Sequence, residues 1–132
     1  MGKPLFLRAT LIYTLLIVII SLVPIPNLSL PEFKLLELDK LIHLFIYFIM
    51  SMMWMRLQSF SDKFFPWKNL LIVFFIASST EFLQGALPVG RYSDWADFIA
   101  NSVGILLGIT TYSFFFLKLN SLSFYFKKKK LF

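Results

Sequence analysis

The sequence contains no cysteine, so disulfides and thiolate metal sites are excluded. Charge is also scarce: only 15% of the 132 residues are charged, while 58% are hydrophobic. A soluble domain of this length needs a polar surface that such a composition cannot cover. The apolar residues fall in long blocks rather than amphipathic stripes, which makes lipid the solvent for most of the surface. Acids are the scarcer sign of charge, with 7 Asp and Glu against 13 Lys and Arg, a net charge of +6. A basic surplus can mark a nucleic-acid binder. Here the basic residues flank apolar blocks instead of lining one face, and no nucleic-acid partner is expected. Internal repeats and low-complexity linkers are also missing.

What is present is four apolar blocks, and they predict an all-α fold: a polytopic membrane protein with a bundle of four transmembrane helices. The spans are placed at about residues 5–23, 41–57, 67–85 and 98–117. Each approaches the ~20 residues needed to cross a hydrocarbon core of ~30 Å. Pro24 and Pro26 end the first span. Lys3 and Arg8 ahead of ATLIYTLLIVIISLV also resemble the start of a secretory signal. Leu22, Val23 and two prolines stand where a cleavage site needs small residues, so a retained first helix is expected.

Direction follows from the basic residues. With N- and C-termini inside, the cytoplasmic segments hold Lys3, Arg8, Arg56, Lys63, Lys68, Lys118 and Lys127 to Lys130, ten of the 13. Only Lys34, Lys40 and Arg91 fall outside. The expected location is the bacterial cytoplasmic membrane, with FYFKKKK as a positive-inside anchor on anionic head groups. This topology carries six of the seven acids (Glu32, Glu37, Asp39, Glu81, Asp94 and Asp97) to the outer side and leaves Asp62 inside. The lone histidine, His43, travels with them.

The polar residues of the outer side fall into three short segments. In LDKLIHLFIY, Asp39, His43 and Tyr47 are spaced i, i+4, i+8 along one helix face, and Asp39 is placed to accept from the ring N–H of His43. In SSTEFLQGALP, Ser78, Glu81 and Gly85 share a face, with Gln84 one position away. Serine and threonine commonly bond between membrane helices, but an intramembrane carboxylate such as Glu81 points to function. In LPVGRYSDWADFIAN, Pro88 and Gly90 supply a turn, and Ser93 or Asp94 caps the last helix. Asp97, Asn101, Gly104 and Gly108 then form one stripe, whose two glycines permit close helix packing. Arg91 is the cation of this loop, able to clamp Glu81, Asp94 or a ligand anion.

DKLIHLFIYF, TEFLQ and GRYSDWADFIANSVGILLG together resemble the pattern of VanZ-like membrane proteins. The matching positions are Asp39, Lys40, His43 and Tyr47, then Glu81 and Gln84, then Arg91, then Asp97, Asn101, Gly104 and Gly108. The resemblance covers residues 39–108, about half the chain, and no polar position departs from it. It implies a single VanZ-like transmembrane domain over residues 1–132. It also implies a cell-envelope setting, related to a protein linked with resistance to the glycopeptide teicoplanin.

Three functions compete. One is binding, with the outer cluster holding a lipid head group or part of a cell-wall precursor. Lys40, Tyr47, Gln84, Arg91, Asp94 and Asn101 would supply the contacts. The second is a membrane-embedded enzyme acting on an envelope lipid or glycan. Its catalytic set would be His43 with Asp39 as an oriented base, Glu81 and Asp97 as further acid–base groups, and Arg91 as an electrophilic clamp. A variant of this reading holds a divalent metal on His43, Glu81 and Asp97, although no metal or other cofactor is expected. The third is scaffolding alone, with the polar groups satisfying one another. The oligomeric state, and whether residues 28–39 lie on the membrane surface as an amphipathic helix, stay open.

Overall fold

The computed structural model describes residues 2–23, 32–57, 66–87 and 93–129, and the side-chain surroundings of all of these except 32–37 and 116–129. The described residues form four α-helices and no strand: α1 (Lys3–Leu22), α2 (Glu32–Leu57), α3 (Trp67–Ala86) and α4 (Trp95–Lys129). The turns expected at Pro24 and Pro26 and at Pro88 and Gly90 lie outside the described residues, as do Lys63 and Lys130. Each helix contains a stretch long and apolar enough to cross a membrane: Lys3–Leu22, Leu38–Leu57, Trp67–Ala86 and Trp95–Phe115.

Two helices run beyond the spans that hydropathy sets. α2 begins at Glu32, well before residue 41, so residues 32–39 continue the transmembrane helix rather than forming a separate one. Glu, Lys and Leu dominate that stretch and are all good helix formers, so the backbone ladder does not stop where the hydrocarbon ends. Residues 28–31 are outside the described set. α4 starts three residues earlier than residue 98 because Asp94 caps it: its Oδ1 accepts the Ala96 N–H at 2.9 Å.

α2 and α4 form the tightest pair, and the glycines of α4 explain why. A Cβ on Gly104 would collide with the Leu44 carbonyl, and one on Gly108 would sit 2.6 Å from the Phe48 carbonyl oxygen. Backbone meets backbone at both positions, the packing that small residues allow in membranes. Tyr47, Met50, Met55, Val73, Ala77, Ile105 and Ile109 fill the centre of the bundle. Leu15, Phe45, Leu71, Phe75, Ile99 and Leu106 point outward instead. Such an apolar exterior suits lipid rather than water.

Polar side chains inside the bundle bond across helices. Ser51 Oγ donates to the Ile105 carbonyl at 3.1 Å, and Asn69 Nδ2 donates to the Ser51 carbonyl at 3.2 Å. The Tyr13 hydroxyl donates to the Ile46 carbonyl at 3.1 Å, and Trp54 Nε1 donates to Thr14 at 3.2 Å, which ties α1 to α2. At the end of the bundle where α1 begins, the Arg56 guanidinium lies 4.5 Å from the centre of the Phe6 ring. Asp39, Glu81, Asp94 and Asp97 gather at the other end.

Candidate functional site

Antiparallel packing brings the first turns of the α2 span, the end of α3 and the start of α4 to one membrane depth. Lys40 Nζ reaches Asp94 Oδ2 at 3.3 Å and stands 3.9 Å from Asp97 Oδ1. His43 Nδ1 donates to Asn101 Oδ1 at 3.0 Å, and both residues are buried. The Asp94 backbone N–H donates to Glu81 Oε1 at 2.7 Å, which closes the connection between α3 and α4. Ser93 packs over Gly85 there, with its Cβ 3.0 Å from where an added Cβ would sit. Arg91 lies outside the described residues; the cation that the structure places among the acids is Lys40.

The cross-helix partners correct two expectations drawn from spacing. Asp39 does not hold the His43 ring: its Oδ1 is 3.8 Å from Nε2, beyond hydrogen-bonding distance. The i, i+4 spacing brings the two together, but the ring turns inward to the buried amide of Asn101. Gln84 does not join the acids either. It faces α1, and its Nε2 donates to the Ser21 carbonyl at 2.8 Å, satisfying one of the carbonyls a helix end leaves open. Tyr47 is fully buried with Thr80 as its hydrogen-bonding neighbour, below the charged layer.

Two neighbourhoods share Asp94. Between α2 and α4 lie Asp39, Lys40, His43, Asp97 and Asn101. Between α3 and the start of α4, a recess of about 230 Å³ is lined by Ser78, Glu81, Phe82, Ser93, Asp94, Trp95 and Phe98. A second, almost entirely apolar groove of about 640 Å³ runs along the outer face of α3 past Leu71, Phe74, Phe75 and Ile76. Ser78 lines both, and its buried Oγ has no hydrogen-bond partner. Sequence reasoning missed the aromatic half of the recess. Phe98 is packed edge-on against Trp95 (ring centres 5.9 Å apart) and against Phe74 (5.5 Å). The signal was there in YSDWADF, where aromatic residues alternate with the acids that draw the eye.

Asp94 stands just ahead of the α4 span. The Ala96 N–H and then the Lys40 ammonium stabilise its ionised form and hold its carboxyl below the ordinary value of 3.8. A depressed pKa stabilises the fold fully above the unfolded value, and that contribution fades as pH falls through the folded value. The cap should therefore persist through pH 5 and weaken only below about pH 4. Asp94→Ala is expected to cost about 1 kcal/mol of stability as a lost cap. Circular dichroism melts of both proteins from pH 3 to 7 check this: the difference should shrink at the acid end.

Asp39, His43 and Asp97 each offer one metal-ligating atom, and the three atoms lie within 4.8 Å of one another. Spacing alone had grouped Glu81 with His43 and Asp97; in the structure Glu81 falls outside the close group, and its Oε1 accepts the Asp94 N–H.

Comparison with curated proteins and with solved structures finds no significant match. The VanZ/LLP1 family model matches residues 6–117, from α1 through the α4 span and thus across every helix that builds the site. With four apolar helices arranged around that region, the chain is a multi-pass membrane protein that belongs to the VanZ/LLP1 family.

Proposed function

We propose that the chain binds a lipid-borne polar group at the outer leaflet, an envelope lipid head group or part of a lipid-linked cell-wall precursor, through the recess beside Glu81. One observation carries this reading: the recess meets the apolar groove of α3 at Ser78, so a polar head and a hydrocarbon tail find adjoining surfaces. Glu81 and Asp94 supply acceptors, Ser78 and Ser93 hydroxyls, and Phe82, Trp95 and Phe98 ring surfaces. Carboxylates beside aromatic faces favour an ammonium or a hydroxyl-rich group over a bare phosphate. The outward orientation rests on the ten basic residues assigned to the opposite side. A part in the response to glycopeptides such as teicoplanin belongs to the same proposal, and a susceptibility assay on a deletion strain tests it.

Scaffolding is the competing reading, favoured by the 2.7 Å bond from the Asp94 N–H to Glu81. Thermal melts in detergent with added phosphatidylethanolamine or phosphatidylglycerol separate the two. Binding predicts that the ammonium head group raises Tm more than the anionic one, and that Glu81→Gln abolishes the difference. Equal effects of both lipids on the parent protein would reject it.

A further inference from the structure

We propose that Asp39, His43 and Asp97 form a binding site for a divalent transition-metal ion between α2 and α4. The His43 ring carries the first indication. An amide oxygen only accepts, so the contact with Asn101 Oδ1 at 3.0 Å makes Nδ1 the protonated nitrogen. In the neutral ring the lone pair then sits on Nε2, and that nitrogen faces Asp39 Oδ1 at 3.8 Å. A lone pair facing a carboxylate oxygen is repulsive, and either a proton on Nε2 or a cation held between the two relieves it. A histidine that ligates a metal through one nitrogen usually donates its other N–H to a fixed acceptor, the role Asn101 fills here.

Asp97 gives an independent indication. It is 8% exposed, and its Oδ1 is buried without a hydrogen bond. Lys40 Nζ stands 3.9 Å from that oxygen, but the ammonium sits closer to Asp94, at 3.3 Å. One ammonium shared between Asp94 and Asp97 does not balance the three carboxylates of Asp39, Asp94 and Asp97. A divalent ion neutralises that surplus at a depth where water screens poorly.

Ligand atoms on a tetrahedral ion with bonds of about 2.1 Å lie roughly 3.4 Å apart, so the 3.8 Å pair closes by a few tenths of an ångström. The three atoms lie within 4.8 Å of one another, so the remaining pairs must draw in by no more than about 1.4 Å. Asp39, which is partly exposed, can move. One imidazole and two carboxylates suit Mn²⁺ or Zn²⁺ better than the all-oxygen ions Mg²⁺ and Ca²⁺. The site rests on its own residues, and Glu81 is not among them.

The test is a Mn²⁺ titration of the purified protein in detergent after chelation, followed by electron paramagnetic resonance. One bound ion per chain is expected, with ¹⁴N coupling from the imidazole. His43→Ala and Asp97→Asn should abolish binding, Asn101→Ala should weaken it roughly 10–100-fold, and Glu81→Gln should leave it intact. Absence of binding by the parent protein, or bound Mn²⁺ without ¹⁴N coupling, would overturn the proposal. Both readouts come from the unmutated chain, so a variant that fails to fold does not blur the result. Equal binding by well-folded His43→Ala would overturn it as well. Loss of lipid discrimination with intact Mn²⁺ binding in Glu81→Gln tells this site apart from the recess.

Discussion

Gly104→Ala is expected to push α4 off α2 and to lower stability by about 1–3 kcal/mol, the range for forcing volume into a filled interior. The added methyl would meet the Leu44 carbonyl and approach the Phe48 backbone nitrogen at 3.1 Å. Neither neighbour is a side chain that can rotate away, so the helices themselves must separate. Asn101 lies one turn from Gly104 on α4, so the same displacement stretches its bond with His43. Gly108→Ala should behave alike, since the Phe48 carbonyl and Ser51 crowd its Cβ at 2.6 and 2.8 Å. Gly85→Ala should be milder: its added Cβ would meet Ser93 Cβ at 3.0 Å, a contact that a shift of a few tenths of an ångström just outside α4 relieves. Thermal unfolding of the three variants in one detergent should rank Gly104→Ala and Gly108→Ala well below Gly85→Ala. Parent-like melting of Gly104→Ala would show that the α2–α4 contact is looser than described.

Glu81→Gln is expected to leave the fold intact and weaken lipid binding at least tenfold. The glutamine oxygen still accepts the Asp94 N–H, so the closure between α3 and α4 survives. What disappears is the charge, and hydrogen bonds to a charged group contribute about 1.5–3 kcal/mol, which amounts to a factor of ten or more. Glu81→Leu does more damage, because it also leaves the Asp94 N–H without its acceptor, at about 1–3 kcal/mol. The two substitutions therefore separate charge from scaffold. Binding assays with an ammonium-bearing lipid should show the loss in both, while melting should show it mainly in Glu81→Leu. Unchanged affinity in Glu81→Gln would make the carboxylate a structural element only.

The helices themselves were plain in the residue order, because hydropathy over some twenty residues reports directly on lipid exposure. Gly104 and Gly108 were legible for a related reason: spaced i, i+4 in an apolar run, they have few uses other than close packing. Partner choice between helices was not legible. Spacing within α2 puts Asp39 beside His43, yet the rotation of α4 decides that Asn101 takes the ring. Gln84 looked equally suited to the acids, until the depth of α1 placed the Ser21 carbonyl next to it. The state of residues 28–39 stayed open because hydropathy marks where lipid ends, not where a hydrogen-bonded helix does. The aromatic wall of the recess was overlooked because phenylalanine is so common here, 17 of 132 residues, that no single one stands out.

The most direct test of the central claim is native mass spectrometry of the protein released from mild detergent, parent beside Glu81→Gln. The proposal predicts a defined mass increment on the parent, of one lipid or lipid-linked precursor with an amine or hydroxyl-rich head group, that is largely missing from Glu81→Gln. A parent protein that flies without any bound lipid, or a Glu81→Gln variant carrying the same lipid at the same occupancy, would contradict it.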